Sequence, residues 1–287
     1  MKQTFTPQPK FTVAPPPTQT NTPIPFAHYG ETLRDVAYCT ADATQKMDLY
    51  FPATGGPWRT LVYVHGGSWM HGDKSEASMF ASMMTSLGYL VVSLNYRLYP
   101  PATWPSMIQD VKCAIRSLRA HAAEYNLDAN RIAAIGPSAG GHLVSLLGTT
   151  DQSAGYDVGE YLDQSSRVQA VIAMAAVTDL TQNFPNADIE LMKRIGFGED
   201  NIVEASPVTY VTSDDPPFLL IHGDKDELVP YQQSQLLYDK LVHAQVPAQL
   251  VIVKNARHSL IEVNADISPS LLELNQMILQ FLEKYLA

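Results

Sequence analysis

The sequence predicts an α/β fold built on one mostly parallel sheet of about eight strands, flanked by helices. Three observations lead there. Six short runs are almost continuously apolar, as expected for strands covered on both faces. Amphipathic segments of helical length separate them, and such strand–helix alternation implies parallel pairing with right-handed crossovers. A chain of 287 residues, 46% of them hydrophobic, can bury one large core without dividing.

In chain order, LRDVAYCT (33–40) and KMDLYFP (46–52) come first, with the alternation of a hairpin at a sheet edge. The six apolar runs follow: TLVYVH (60–65), YLVVSLNY (89–96), RIAAIG (131–136), VQAVIAMAA (168–176), FLLIHG (218–223) and QLVIV (249–253). Helical periodicity covers 75–88, 105–125, 139–148, 231–244 and 268–286. Residues 149–167 and 178–215 fit no strand–helix unit. Both follow strands, so a small lid is expected there rather than a second domain. In sheets of this kind ligands bind beyond the carboxyl ends of the strands.

A formal net charge of −10 repels phosphate backbones, and no basic run counters it, so nucleic acid is not an expected partner. No segment approaches the roughly 18 uninterrupted apolar residues of a membrane span. Cys39 and Cys113 form no framework, and both are expected to be buried free thiols. Residues 1–30 read as a Pro/Thr-rich N-terminal arm ahead of a domain over 31–287. Such a stretch builds no core and suits either a surface-hugging arm, the preferred reading, or the stalk of an exported protein. No apolar signal-peptide region opens the chain as given, which fits a cytoplasmic protein or one whose signal is missing here.

Ser138 lies in Gly136-Pro137-Ser138-Ala139-Gly140, directly after an apolar run and before a helix. A strand that turns straight into a helix strains the connecting residue, and small neighbours let the backbones pass. The serine then projects alone, beside the free N–H groups of a helix N-terminus. The plainer alternative is a glycine-rich turn with a capping serine. Upstream, His65-Gly66-Gly67-Ser68-Trp69 follows the strand TLVYV. Acyl transfer passes through an oxyanion that needs preorganised donors. The backbones of Gly67 and Ser68, with Ala139 as a third, are the candidate oxyanion hole. Gly66 makes the turn, and His65 braces the loop rather than moving protons.

A serine hydroxyl needs a base. Of the eight histidines, His222 and His258 stand at strand ends after Ser138. His222 is still on its strand, while His258 lies in a loop free to reach back, so His258 is the expected base. Asp224, Asp226 and Glu227 compete for the orienting acid. Asp226 is chosen because the loop needs length to turn a carboxylate round. Asp224 is the runner-up, its alternative job being a turn contact. Trp69, Met70, Trp104 and Phe184 are candidate pocket residues, although apolar residues more often belong to the core.

Residues 33–285 resemble the α/β-hydrolase esterases, in particular the branch related to hormone-sensitive lipase and to bacterial feruloyl and acetyl esterases. The matching stretches are VYVHGGSWMHGDKS (62–75), VVSLNYRLYP (91–100), IGPSAGGHL (135–143), SPVTYV (206–211), PPFLLIHGDKDELVP (216–230) and the histidine loop at 255–260. The resemblance implies an α/β-hydrolase fold and a serine carboxylesterase. Such an enzyme cleaves small-molecule esters, of short-chain acyl or aryl type, through an acyl-enzyme and without a cofactor or metal. It also implies that Arg97 and Asp110 serve structural networks. Ser68 replaces the usual third glycine of the related lipases, which makes the pocket wall bulkier and more polar. The same machinery would serve an arylformamidase or small peptidase, and a non-catalytic binding protein on this fold is the reading from another class.

Overall fold

The computed structural model describes residues 27–287. Of the expected N-terminal arm, only residues 27–30 fall within them; there the Gly30 amide donates to Pro52 O at 3.0 Å. Eight strands form one sheet: β1 (Thr32–Ala37), β2 (Lys46–Tyr50), β3 (Trp58–Val64), β4 (Leu90–Leu94), β5 (Leu127–Pro137), β6 (Ala170–Met174), β7 (Phe218–Gly223) and β8 (Ala248–Val253). Their spatial order is β1-β2-β4-β3-β5-β6-β7-β8. β2 pairs antiparallel with both β1 and β4, and every other pairing is parallel. The hairpin thus caps one edge of a parallel sheet.

The helices are α1 (Ser78–Ser86), α2 (Ser106–Ala120), α3 (Ala139–Thr149), α4 (Ala187–Leu191), α5 (Gln232–His243) and α6 (Leu271–Tyr285). Successive strand residues face opposite sides of a sheet, and both sides are packed. Val62, Val64 and Ala134 meet α2, α3 and α5 on one face. Leu61, Ala133 and Ile135 meet α1 and α6 on the other. This explains why the central strands read as unbroken apolar runs. α6 starts at a capping box: the Glu273 amide reaches Ser270 Oγ, and the Ser270 amide donates to the Glu273 carboxylate at 2.8 Å. No helix among the described residues is long and apolar enough to cross a membrane.

The buried charges of α2 are paired, which offsets the cost of burying them. Asp110 on α2 accepts from the Arg97 guanidinium at 2.6 Å and from Gln45 Nε2 at 2.6 Å. This joins α2 to the hairpin loop, and it is the structural network expected for Arg97 and Asp110. Farther along α2, Lys112 and Arg116 hold Asp157 at 3.0 and 2.6 Å. Lys112 also donates to Thr150 O and Ser166 Oγ at 3.0 and 3.1 Å. Burial lowers the Lys112 ammonium below the ordinary lysine value, against the pull of Asp157. Residues 149–167 are therefore fastened along α2. Residues 178–215 hold α4 and several short irregular turns.

One expectation is corrected. Cys39 and Cys113 are not free thiols but a disulfide, with Cα atoms 6.5 Å apart. Both are buried, at 4% exposure. The bond joins the end of the edge hairpin to α2 across 74 residues of sequence. That proximity is created by the packing of the hairpin loop on α2, which no local pattern encodes.

Candidate active site

Ser138 emerges where β5 becomes α3, with φ 53° and ψ −118°. That is a costly conformation for a residue with a Cβ, typically about 1–3 kcal/mol. Its surroundings enforce it. The Ser138 amide donates to Met174 O on β6 at 2.8 Å, and the His142 amide donates to Ser138 O at 2.9 Å. A Cβ on Gly136 would lie 2.5 Å from the Gly140 carbonyl carbon, and one on Gly140 would lie 2.0 Å from Val64 O. The two glycines are there because strand, turn and neighbouring strand touch backbone to backbone.

The loop after β3 approaches from the other side. Gly67, Ser68 and Trp69 have φ of 104°, 52° and 59° in succession. This left-handed run curls the chain, and the Met70 and His71 amides close it on Gly67 O at 3.0 and 3.1 Å. The amides of Gly67, Ser68 and Ala139 donate to no acceptor among the described residues. His65 braces the loop base: its Nδ1 lies 2.8 Å from Gly66 O, and its ring stacks on Tyr96 at 4.4 Å.

The loops that carry the expected acid and base follow β7 and β8. They are tied by the Lys225 amide, which donates to Ala256 O at 2.9 Å. His258 Nδ1 lies 2.7 Å from Asp226 Oδ2. Asp226 Oδ1 accepts the amides of Leu228 and Val229, both at 2.9 Å. Burial alone would raise the Asp226 carboxyl. The bonds from His222, His258 and Val229, together with the charge of His258, outweigh it and hold the group well below the usual carboxylate range. Because Asp226 only accepts, Nδ1 of His258 carries a proton, which in the neutral ring leaves the lone pair on Nε2. The runner-up Asp224 makes no bond to either histidine; its Oδ2 lies 3.5 Å from Lys225 Nζ. Glu227 is exposed.

Ser138 and His258 line one cavity of about 420 Å³, together with Gly67 and Ser68. Within that cavity the Ser138 hydroxyl makes no hydrogen bond to His258 or to any other described residue. Apolar walls come from Met174, Ile189, Leu228 and Leu260, and Glu76, His71 and Asn186 add polar groups. Ile189 and Asn186 belong to the 178–215 segment, whereas no residue of 149–167 lines this cavity. A larger cavity of about 590 Å³ opens beside Arg97 and Trp104 but lacks Ser138 and His258.

None of the four apolar candidates reaches the Ser138 cavity. Trp69 is buried, Trp104 faces the neighbouring cavity, Phe184 packs under Lys193, and Met70 packs against the core. Sequence reasoning also missed the part of His222. Its Nε2 reaches Asp226 Oδ2 at 3.0 Å and Val229 O at 2.9 Å, and its Nδ1 meets Ser234 Oγ at 2.7 Å. Two imidazoles therefore share one carboxylate oxygen. The signal was the four-residue spacing of His222 and Asp226 across a strand end, which reads equally well as a buried strand histidine.

Known proteins share this architecture. The sequence is 36% identical over 241 residues to a probable carboxylic ester hydrolase, LipM, of Mycobacterium tuberculosis; the match covers 79% of this chain and 54% of that protein. The chain spans about half the length of the curated relatives it matches. A truncated form of a carbohydrate esterase from gut microbiota superposes with a TM-score of 0.72 at 29% identity, over 80% of this chain and 90% of that one. The thermophilic esterase Est2 of Thermogutta terrifontis, solved with butyrate bound, superposes with a TM-score of 0.73 at 25% identity, over 89% of this chain and 94% of that one. The BD-FAE family model matches residues 47–241, about two thirds of the sequence. On that match, and on the superposition with these esterase structures, the chain belongs to the BD-FAE family of the α/β-hydrolase fold.

Proposed function

We propose that the protein is a serine carboxylesterase in which Ser138, His258 and Asp226 act as nucleophile, base and orienting acid. One observation carries the reading. An Asp226-bound imidazole and a strained serine face one cavity, which Gly67 and Ser68, with unpaired amides, also line, and the unpaired Ala139 amide directly follows the serine. His258 Nε2 takes the Ser138 proton as Oγ bonds to the ester carbonyl carbon. The amides of Gly67, Ser68 and Ala139 receive the negative charge that moves onto the carbonyl oxygen. His258 then returns the proton to the departing alcohol as its C–O bond breaks, leaving an acyl-Ser138. Water, deprotonated by the same imidazole, attacks the acyl carbon, and the acid leaves as Oγ regains its proton. Asp226 holds the Nδ1–H tautomer and stabilises the cation.

The names of the similar proteins support ester chemistry, and the butyrate in Est2 supports a short acyl group. The cavity's modest volume agrees with that size. Residues 178–215 are read as a lid, since Asn186 and Ile189 line the cavity. Turnover of p-nitrophenyl esters from acetate to octanoate tests the proposal. Hydrolysis should be fastest at the short end and absent in Ser138→Ala. An unchanged rate in Ser138→Ala, or no turnover of any ester, would refute it.

A further inference from the structure

One buried imidazole takes no part in the proposed chemistry. His142 stands one helical turn after Ser138 on α3 and is fully buried. Its Nδ1 lies 3.1 Å from Trp69 Nε1, and its Nε2 lies 2.7 Å from Ala205 O. An indole N–H can only donate and a carbonyl can only accept. Nδ1 must therefore be bare and Nε2 must carry the proton. This is a neutral imidazole with both nitrogens used, and burial, which pushes His142 down to about 4, keeps it in that form. Protonation would set two N–H groups against each other at Trp69.

The three groups joined this way belong to three different parts of the site. Trp69 adjoins Ser68 and closes the left-handed run that turns the Gly67 and Ser68 amides. His142 shares α3 with Ser138 and Ala139. Ala205 lies in the 178–215 segment, whose Phe197 packs edge-on against Trp69 at 5.0 Å and against His142 at 5.6 Å. Non-glycine residues resist positive φ. Ser68 and Trp69 thus need an outside restraint, and the buried indole supplies one.

We propose that Trp69 and His142 are positioning residues whose hydrogen bond fixes the Gly67 and Ser68 amides relative to the helix carrying Ser138, while the His142–Ala205 bond ties that unit to the 178–215 segment. The inference rests on the reading of Ser138 as nucleophile and of these amides as oxyanion donors. An oxyanion hole works only if its donors converge on one point, to within about 0.5 Å. Two of the three donors sit on the loop and one on the helix, so a link between loop and helix sets their convergence.

The test compares wild type, Trp69→Phe, His142→Leu, His142→Gln and Ser138→Ala. The readouts are kcat and KM on p-nitrophenyl acetate and the inhibition constant of a trifluoromethyl ketone, which mimics the tetrahedral state. Trp69→Phe keeps an aromatic ring in the buried site but loses the indole N–H along with part of the ring system, so near-UV circular dichroism checks that it folds and the comparison of His142→Leu with His142→Gln separates the hydrogen bond from packing. We expect Trp69→Phe and His142→Leu to lose tenfold or more in kcat and to bind the ketone correspondingly more weakly, with KM within twofold. His142→Gln offers an acceptor to Trp69 and a donor to Ala205, so it should recover most of the loss. The proposal is overturned if Trp69→Phe leaves kcat and ketone binding within twofold of wild type, if the losses fall mainly on KM, or if Gln is no better than Leu. A wild type without turnover, or an active Ser138→Ala, overturns the wider reading and this one with it. Normal wild-type and null Ser138→Ala behaviour beside an indifferent Trp69→Phe overturns this one alone.

Discussion

Replacing Asp226 with Asn isolates the proposed orienting acid. The substitution keeps one oxygen, which can go on accepting the Leu228 and Val229 amides at the Oδ1 position. The new NH₂ group then replaces Oδ2, where His258 Nδ1 at 2.7 Å and His222 Nε2 at 3.0 Å both pointed protons. His258 escapes the clash by moving its proton to Nε2, which removes the lone pair that Ser138 needs. The imidazolium formed in the transition state also loses its counter-charge. The equivalent change in a chymotrypsin-type triad lowers kcat by about 10⁴, or about 5.5 kcal/mol of barrier at 1.36 kcal/mol per decade. A loss of that order in kcat on p-nitrophenyl acetate near neutral pH is expected here, with near-UV circular dichroism unchanged. Asp226 is held ionised well below the carboxylate range, so it should keep its charge throughout the assay. A D226N enzyme within tenfold of wild type would refute the reasoning.

Three further predictions concern the scaffold. Gly140→Ala places a methyl group 2.0 Å from Val64 O, a backbone atom that cannot swing away, so soluble yield or thermal midpoint should drop sharply; a midpoint equal to wild type would contradict the close approach. Asp215 is pushed up to about 6, first by burial and against the Thr212 bonds, so it sits above its unfolded value of 3.8. Its stabilising contribution is complete below about pH 4 and lost as pH rises through about 6; Asp215→Asn should exceed wild type by about 1–2 kcal/mol in urea unfolding at pH 7, after discounting for partial solvation, and match it at pH 4. A gap that does not close on acidification would show that Asp215 is not the titrating group. Cys39→Ser opens a 74-residue loop and should lower stability by up to about 4 kcal/mol on the loop-entropy relation, measured in the same way, with an unshifted midpoint counting against the bond.

The sheet was legible wherever burial on both faces wrote continuous apolar runs, as in FLLIHG, which coincides with β7. β5 extends back to Leu127, beyond the apolar run, because Leu127 pairs with Trp58 at the start of β3. The small residues around Ser138 were readable for the same kind of reason: Gly136 and Gly140 mark contacts that exclude a Cβ. What stayed hidden depends on side chains brought together from distant segments. Cys39 meets Cys113 through hairpin packing, Trp69 meets His142 across 73 residues, and Trp69 turns inward although it follows the loop that lines the cavity. His222 illustrates a local version. Its position on a strand suggested a core residue, and it is one, yet the tight turn after β7 folds Asp226 back onto it.

The central claim is that Ser138 becomes covalently linked to the group it attacks. Treating the protein with a fluorophosphonate and mapping the adduct by peptide mass spectrometry tests it most directly. The account predicts one phosphonate per chain, on Ser138, formed far more slowly in D226N. An adduct on another residue, or full labelling of a Ser138→Ala protein, would contradict it.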